Sequence, residues 1–187
     1  MAIRMPWAGG PDPDASLVLK DFDPDFRGNW AWEQPERFRA RWRLTCDGEP
    51  VATLATHGLL LAPNTARFAG ETWEVRHRFP AEMVVTRVGE PEAWGSYRPG
   101  WFGSGRLART HDGPLLWRPD GFWMRTWAFT TPDQLPLVQF RPTRAFLLHG
   151  ASVELQDAAR RMRELPALLA LGWLLVLRRR RRHSGWH

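Results

Sequence analysis

Lysine is almost absent from this chain. Lys20 is the only one, and the remainder of its 26 lysine-plus-arginine cations are arginine. With its heavy use of Ala, Gly, Pro and Leu, this is the composition of a chain from a GC-rich genome. Cysteine also occurs once, at Cys46, which excludes an internal disulfide and any multi-cysteine metal site. The first ten residues lack the apolar stretch of about 7–15 residues that marks a secretory signal, so cytoplasmic residence is the expectation. No Gly-rich phosphate loop, nucleophile elbow or HExxH helix is present. His57, His77, His111, His149, His183 and His187 include no pair at metal-ligand spacing. Asp21, Asp23 and Asp25 invite a calcium loop, but its sixth and twelfth positions would hold Phe26 and Trp32 instead of Gly and Glu. An ordinary polar turn is expected there. Ser104 stands between two glycines as a turn residue, and the charge of Asp47 beside Cys46 would raise that thiol's pKa. These absences point to a non-enzymatic protein with no cofactor and no metal.

The chain has 187 residues, enough for one domain with a real core. Its net charge of +6 is unevenly placed. Five cations, Arg178, Arg179, Arg180, Arg181 and Arg182, are consecutive near the end, and the other 21 nearly balance 20 acids. A near-neutral body lacks the basic face that nucleic-acid binding needs, so nucleic acid is not an expected partner.

Residues 1–14 are small, Pro- and Gly-rich and acidic, and read as a flexible leader. Residues 16–19 could open the fold as a short strand. The clearest local pattern spans 37–44, where Phe38, Ala40, Trp42 and Leu44 alternate with Arg37, Arg39, Arg41 and Arg43. Such alternation predicts a half-buried β-strand with arginines on its outer face. Residues 46–50 supply a turn into a partner strand at 51–56, and 72–79 repeats the alternation. There Trp73, Val75, His77 and Phe79 are expected inward, with Arg76 and Arg78 outward. Further hairpins follow at 83–88 with 93–98, 105–110 with 114–118, 122–130 with 137–141, and 145–148 with 152–155. They group into three units of about forty residues, consistent with an internal repeat. Each unit carries an apolar link, at 58–61, 100–103 and 144–147. Arg98-Pro99 and Arg141-Pro142 stand at equivalent points in the second and third units. The prediction is twelve antiparallel strands in a mainly β barrel or sandwich.

The body is followed by thirteen residues, 165–177, without one polar side chain. As a helix this run is apolar all round, so it belongs in a core or a bilayer. It would rise about 20 Å against a hydrocarbon thickness of about 30 Å, which favours a buried helix over a span. The expected helix covers about 165–178, within one domain at 15–182, with 183–187 as a tail.

Twelve hairpin-paired strands followed by one wholly apolar C-terminal helix resemble the superfamily of tubby C-terminal domains, phospholipid scramblases and LURP-one-related proteins. The resemblance covers roughly 16–182. It rests on that architecture and on the closing run from Leu165 through Arg182; small bacterial members are the nearest in form. It implies a closed barrel threaded by the helix, and the physics agrees, because a twelve-stranded barrel is too wide to be filled by its own side chains. The family's functional features transfer poorly. Scramblases carry acylated cysteines and a calcium segment near the terminal helix, and neither has a counterpart here.

The candidate anion- or lipid-binding residues are Arg37, Arg39, Arg41, Arg43, Arg76 and Arg78 on outer strand faces, with Arg178, Arg179, Arg180, Arg181 and Arg182 at the helix end. The plain alternative for the rows is a solvated face paired with acids such as Glu74. Of the twelve tryptophans, Trp42 and Trp73 read as core, while Trp94, Trp101, Trp117, Trp123 and Trp127 are placed at barrel ends or outside. The expected function is a binding or regulatory domain, peripheral at an anionic phospholipid surface. The competing readings are a tail-anchored protein spanning with 165–177, and a protein–protein interaction scaffold. Oligomeric state is left open.

Overall fold

The computed structural model describes residues 17–35, 40–57, 62–120, 125–143 and 150–184. Twelve strands run in sequence order: β1 (Trp30–Glu33), β2 (Arg41–Cys46), β3 (Glu49–Ala55), β4 (Asn64–Phe68), β5 (Glu71–Arg78), β6 (Glu82–Arg87), β7 (Ala93–Pro99), β8 (Gly105–Arg109), β9 (Leu115–Asp120), β10 (Thr126–Thr130), β11 (Pro136–Pro142) and β12 (Gly150–Leu155). A short helix α1 (Asp157–Arg160) leads into α2 (Leu165–Ser184). Each strand pairs antiparallel with its sequence neighbours, and β1 pairs with β12, Trp30 opposite Val153, to close the barrel. Closure leaves no edge strand exposed.

Period-two alternation places one side chain in two inside. Trp32, Leu44, Val75, Leu107, Phe129 and Phe140 are among the fully buried inward residues, each from a different strand. They converge on α2, whose residues 165–177 are buried on every side. A cylinder of that kind, apolar all round, can be stable only where nothing around it is water. Each buried leucine contributes about 1.5–3 kcal/mol, and this helix carries six between Leu168 and Leu177. The helix starts cleanly because Pro166 sits in its first turn, where a missing N–H costs nothing. Ala167 N donates to Glu164 O at 3.0 Å. Trp173 is held between Trp32, stacked at 6.0 Å and 4°, and Trp42, edge-on at 5.0 Å.

The internal repeat is visible in the ladder. Register shifts occur at Leu44/Thr45 in β2, Val85/Thr86 in β6 and Phe129/Thr130 in β10, every fourth strand. Arg98-Pro99 and Arg141-Pro142 close β7 and β11, also four strands apart.

Several expectations are corrected. Residues 17–19 form no strand; the first is Trp30–Glu33, and β4 was also unforeseen. Ala40 is exposed at a bend before β2. Phe79 is 95% exposed, because β5 ends at Arg78 and the next side chain leaves the barrel. Trp94, Trp117 and Trp127 are core residues, while Trp101 is outside. Helix α2 continues to Ser184, past its expected end near 178, so the five arginines are helical. The strand expected at 145–148, the links at 58–61 and 144–147, Phe38 and Trp123 lie outside the described residues.

Candidate functional site

An up-and-down barrel has two unlike ends, and here they differ in chemistry. At the end where the chain enters α2, turns such as Asp47-Gly48 and 111–113 are polar and acidic. Residues 20–29 run across that end, with Lys20 N donating to Pro50 O and Phe22 packed edge-on against Trp30 and Phe68. The helix leaves at the opposite end, through the connections after β1, β3, β5, β7, β9 and β11. Around that exit, Arg41, Arg78, Arg98, Arg106 and Arg141 stand within two residues of a strand terminus, against Glu33, Glu82 and Asp120. Arg98 pairs with Glu82 at 3.1 Å, and that hydrogen bond holds the Glu82 carboxyl below its usual range.

The connection from β7 to β8 is the best-defined feature of the exit end. It turns through a short 3-10 helix (Trp101–Gly103). Gly100 N donates to Ser104 O at 2.7 Å, Ser104 N and Oγ both donate to Trp101 O, and Tyr97 Oη donates to Ser104 O at 3.2 Å. From below, Arg179 Nη1 donates to Phe102 O at 3.1 Å. Phe102 has a left-handed backbone, φ 54°, and Gly103 follows at φ 85° with the Arg179 guanidinium where a Cβ would stand. A non-glycine residue in that region costs about 1–2 kcal/mol. The loop is hydrogen-bonded in place, and it holds two large aromatic side chains, Trp101 at 85% and Phe102 at 82% exposure, away from the protein. The barrel gains no core packing from either.

The helical arginines fit the rim. Arg179 lies over the Trp127 ring at 4.3 Å. Arg180 donates to Thr143 O at 2.9 Å and Gly150 O at 3.2 Å, and lies 6.0 Å from the Trp173 ring centre. Among the described residues, carbonyls and ring faces hold these two cations; no carboxylate stands within salt-bridge distance of either. Burial pushes both guanidinium pKa values down from the usual arginine value. His77, on the inner side of β5, is lowered by burial and then by the charge of Arg178. A half-open cleft of about 660 Å³ separates the loop from the helix end, lined by Tyr97, Trp117 and Leu175 below and Arg178 and Arg179 at the rim.

The sequence-derived arginines therefore divide. Arg37 and Arg39 lie outside the described residues, as do the side chains of Arg181 and Arg182. Arg41 and Arg43 are half-buried on β2, three strands from Arg76 and Arg78 on β5, so the two rows do not form one patch. Arg76 is held by Glu74 at 2.8 Å. Arg78 lies with it in a second groove of about 620 Å³, where Arg87 is held by Glu71 and Glu90. That outer groove is largely neutralised from within. Sequence reasoning placed Trp101 at a barrel end or outside but left it and Phe102 out of the candidate site, along with Arg98, Arg106 and Arg141; the Gly-flanked aromatic pair was the available signal. Among the described residues, no three His, Cys, Asp or Glu side chains are grouped to hold a metal ion. Cys46 is buried, and burial, then Asp47, raises its pKa. No helix among the described residues is long and apolar enough to cross a membrane.

The fold and its exit end define a closed, helix-threaded β-barrel with an aromatic and cationic mouth. Comparison with protein-family models, with curated proteins and with solved structures found no match.

Proposed function

We propose that the chain is a non-enzymatic module that associates peripherally with anionic phospholipid through the end of the barrel from which α2 emerges. The observation that carries this reading is the hydrogen-bonded loop at 100–104, which presents Trp101 and Phe102 to solvent beside Arg178 and Arg179. Aromatic side chains of this kind favour the membrane–water interface, where one part is apolar and the surroundings are wet. Neighbouring arginines add about 1 kcal/mol each against an anionic leaflet. The pairing of Arg76 and Arg87 with glutamates favours the exit end over the outer rows. The reading keeps the chain cytoplasmic and includes the proposed kinship with the tubby, scramblase and LURP-one-related superfamily, supported by architecture alone. Burial of residues 165–177 inside the barrel favours this reading over a tail anchor.

Co-sedimentation with vesicles tests it. Wild type should bind phosphatidylserine-containing vesicles and not pure phosphatidylcholine, and should release as the screening length shrinks from about 10 Å at 0.1 M salt to about 3 Å at 1 M. The double variant Trp101→Ser/Phe102→Ser should keep its melting temperature and lose at least tenfold in binding. Equal binding by the double variant would remove the loop from the account.

A further inference from the structure

We infer that the cleft between the 100–104 loop and the end of α2 is a binding site for one anionic amphiphile. Its carboxylate or phosphate head would meet Arg178 and Arg179, and its hydrocarbon would lie along the exposed Pro99, Trp101 and Phe102. The inference deepens the membrane reading and rests on it only for the source of the ligand.

Size, lining and charge carry it together. A volume of about 660 Å³ lies within the roughly 300–1,000 Å³ of small-molecule sites, which are mostly apolar with a few placed polar groups. The exposed apolar wall here is Pro99, Trp101 and Phe102, over the buried Tyr97, Trp117 and Leu175, and the charged groups are two guanidiniums at one edge. Arg179 is the more informative of the two. It is partly desolvated and pinned between the Trp127 ring and the Phe102 carbonyl, with no carboxylate to neutralise it among the described residues. One of its five N–H donors is used on Phe102, and the planar fork suits a carboxylate or phosphate oxygen pair. A cation held there is a counter-charge in place for an anion. A bare inorganic anion would leave the exposed Trp101 and Phe102 uncovered, and a neutral amphiphile would leave the guanidinium without its partner. The ligand class that satisfies both halves has an acidic head and a single chain. The loop is hydrogen-bonded in place and the cleft is open without a ligand, a pre-organisation that lowers the ordering cost of binding.

The test uses full-length protein without vesicles and ligands below their micelle concentrations: dodecanoate, dodecyl phosphate, dodecyl maltoside and inorganic phosphate. Calorimetry should show one molecule of dodecanoate or dodecyl phosphate per chain. Dodecyl maltoside and inorganic phosphate should each bind at least tenfold more weakly. Indole N–H resonances, assigned by single Trp→Phe variants, should shift at Trp101, Trp117 and Trp127. Those of Trp73 and Trp94, at the other end of the barrel, should stay in place. Arg179→Gln, folded by its melting curve, should weaken dodecanoate at least tenfold and leave dodecyl maltoside unchanged. Equal affinity for the charged and uncharged amphiphiles, shifts at Trp73 and Trp94, or an unaffected Arg179→Gln would each overturn the inference. If no monomeric amphiphile binds while the protein still sediments with acidic vesicles, the cleft fails and the membrane reading stands. If amphiphile binds in the cleft and vesicles do not sediment the protein, the membrane reading fails and the cleft stands.

Discussion

Gly172 is the point where α2 comes closest to the barrel wall. A Cβ there would collide with the Phe140 ring and lie 3.1 Å from Phe129, both fully buried and unable to move aside. In an exposed helix, Gly→Ala gains about 1 kcal/mol. Here overpacking, typically about 1–3 kcal/mol, opposes that gain and should win. Gly172→Ala is therefore expected to lower the melting temperature by several degrees, at about 2–4 °C per kcal/mol for a chain of this size. A raised melting temperature would mean that the helix does not lie against β10 and β11 as described. The Trp32 and Trp173 indole nitrogens donate to no acceptor among the described residues. Shape, through ring stacking, holds that contact together.

At the scale of elements, α2 is the core of the molecule. Leu171→Asp would place a carboxylate in the middle of the helix with nothing to pair it. The cost is several kcal/mol, comparable with the whole stability of an ordinary domain. The variant should be unfolded or insoluble on expression, and a soluble protein with unchanged thermal stability would rule out a threaded helix. This element was the most legible in the sequence, because thirteen apolar residues in a row have few other places to go. The long strands β2 and β5 were legible through their alternation. β1 was not, since Trp30-Ala31-Trp32-Glu33 is too short for a period to emerge. Nor was β4, whose buried face is Asn64, Ala66 and Phe68, and whose Asn64 earns its place by donating to Val75 O. Phe79 was misplaced because alternation has no means of signalling where a strand reaches the rim. The latch between Arg179, Arg180 and the rim carbonyls depends on how far α2 penetrates, and side-chain pattern does not encode that depth.

At the scale of the whole molecule, the strand count and the meander decide what shares an end. Once twelve strands alternate in direction, every second connection falls at the helix exit, and the exposed Trp101 and Phe102 join the arginines of α2 although Phe102 and Arg179 are 77 residues apart in the chain. The apolar pair and the cations were each legible as residues. Their meeting was not, because it needs both the closure of the barrel and the direction of the helix through it. The opposite end offers acidic turns and the crossing segment at 20–29, which an anionic surface would repel. The molecule is therefore polar in its chemistry, and the proposed membrane contact has a direction.

That direction can be measured. Cys46 is buried, so a cysteine introduced by Phe102→Cys or by His111→Cys gives one accessible thiol, at the helix exit or at the opposite end. Each is labelled with an apolar, environment-sensitive fluorophore and mixed with phosphatidylserine vesicles at low salt. The account predicts a blue shift at position 102 that reverses at high salt, and no shift at position 111. Equal shifts at both positions, a shift at 111 alone, or binding with no shift at 102 would contradict it.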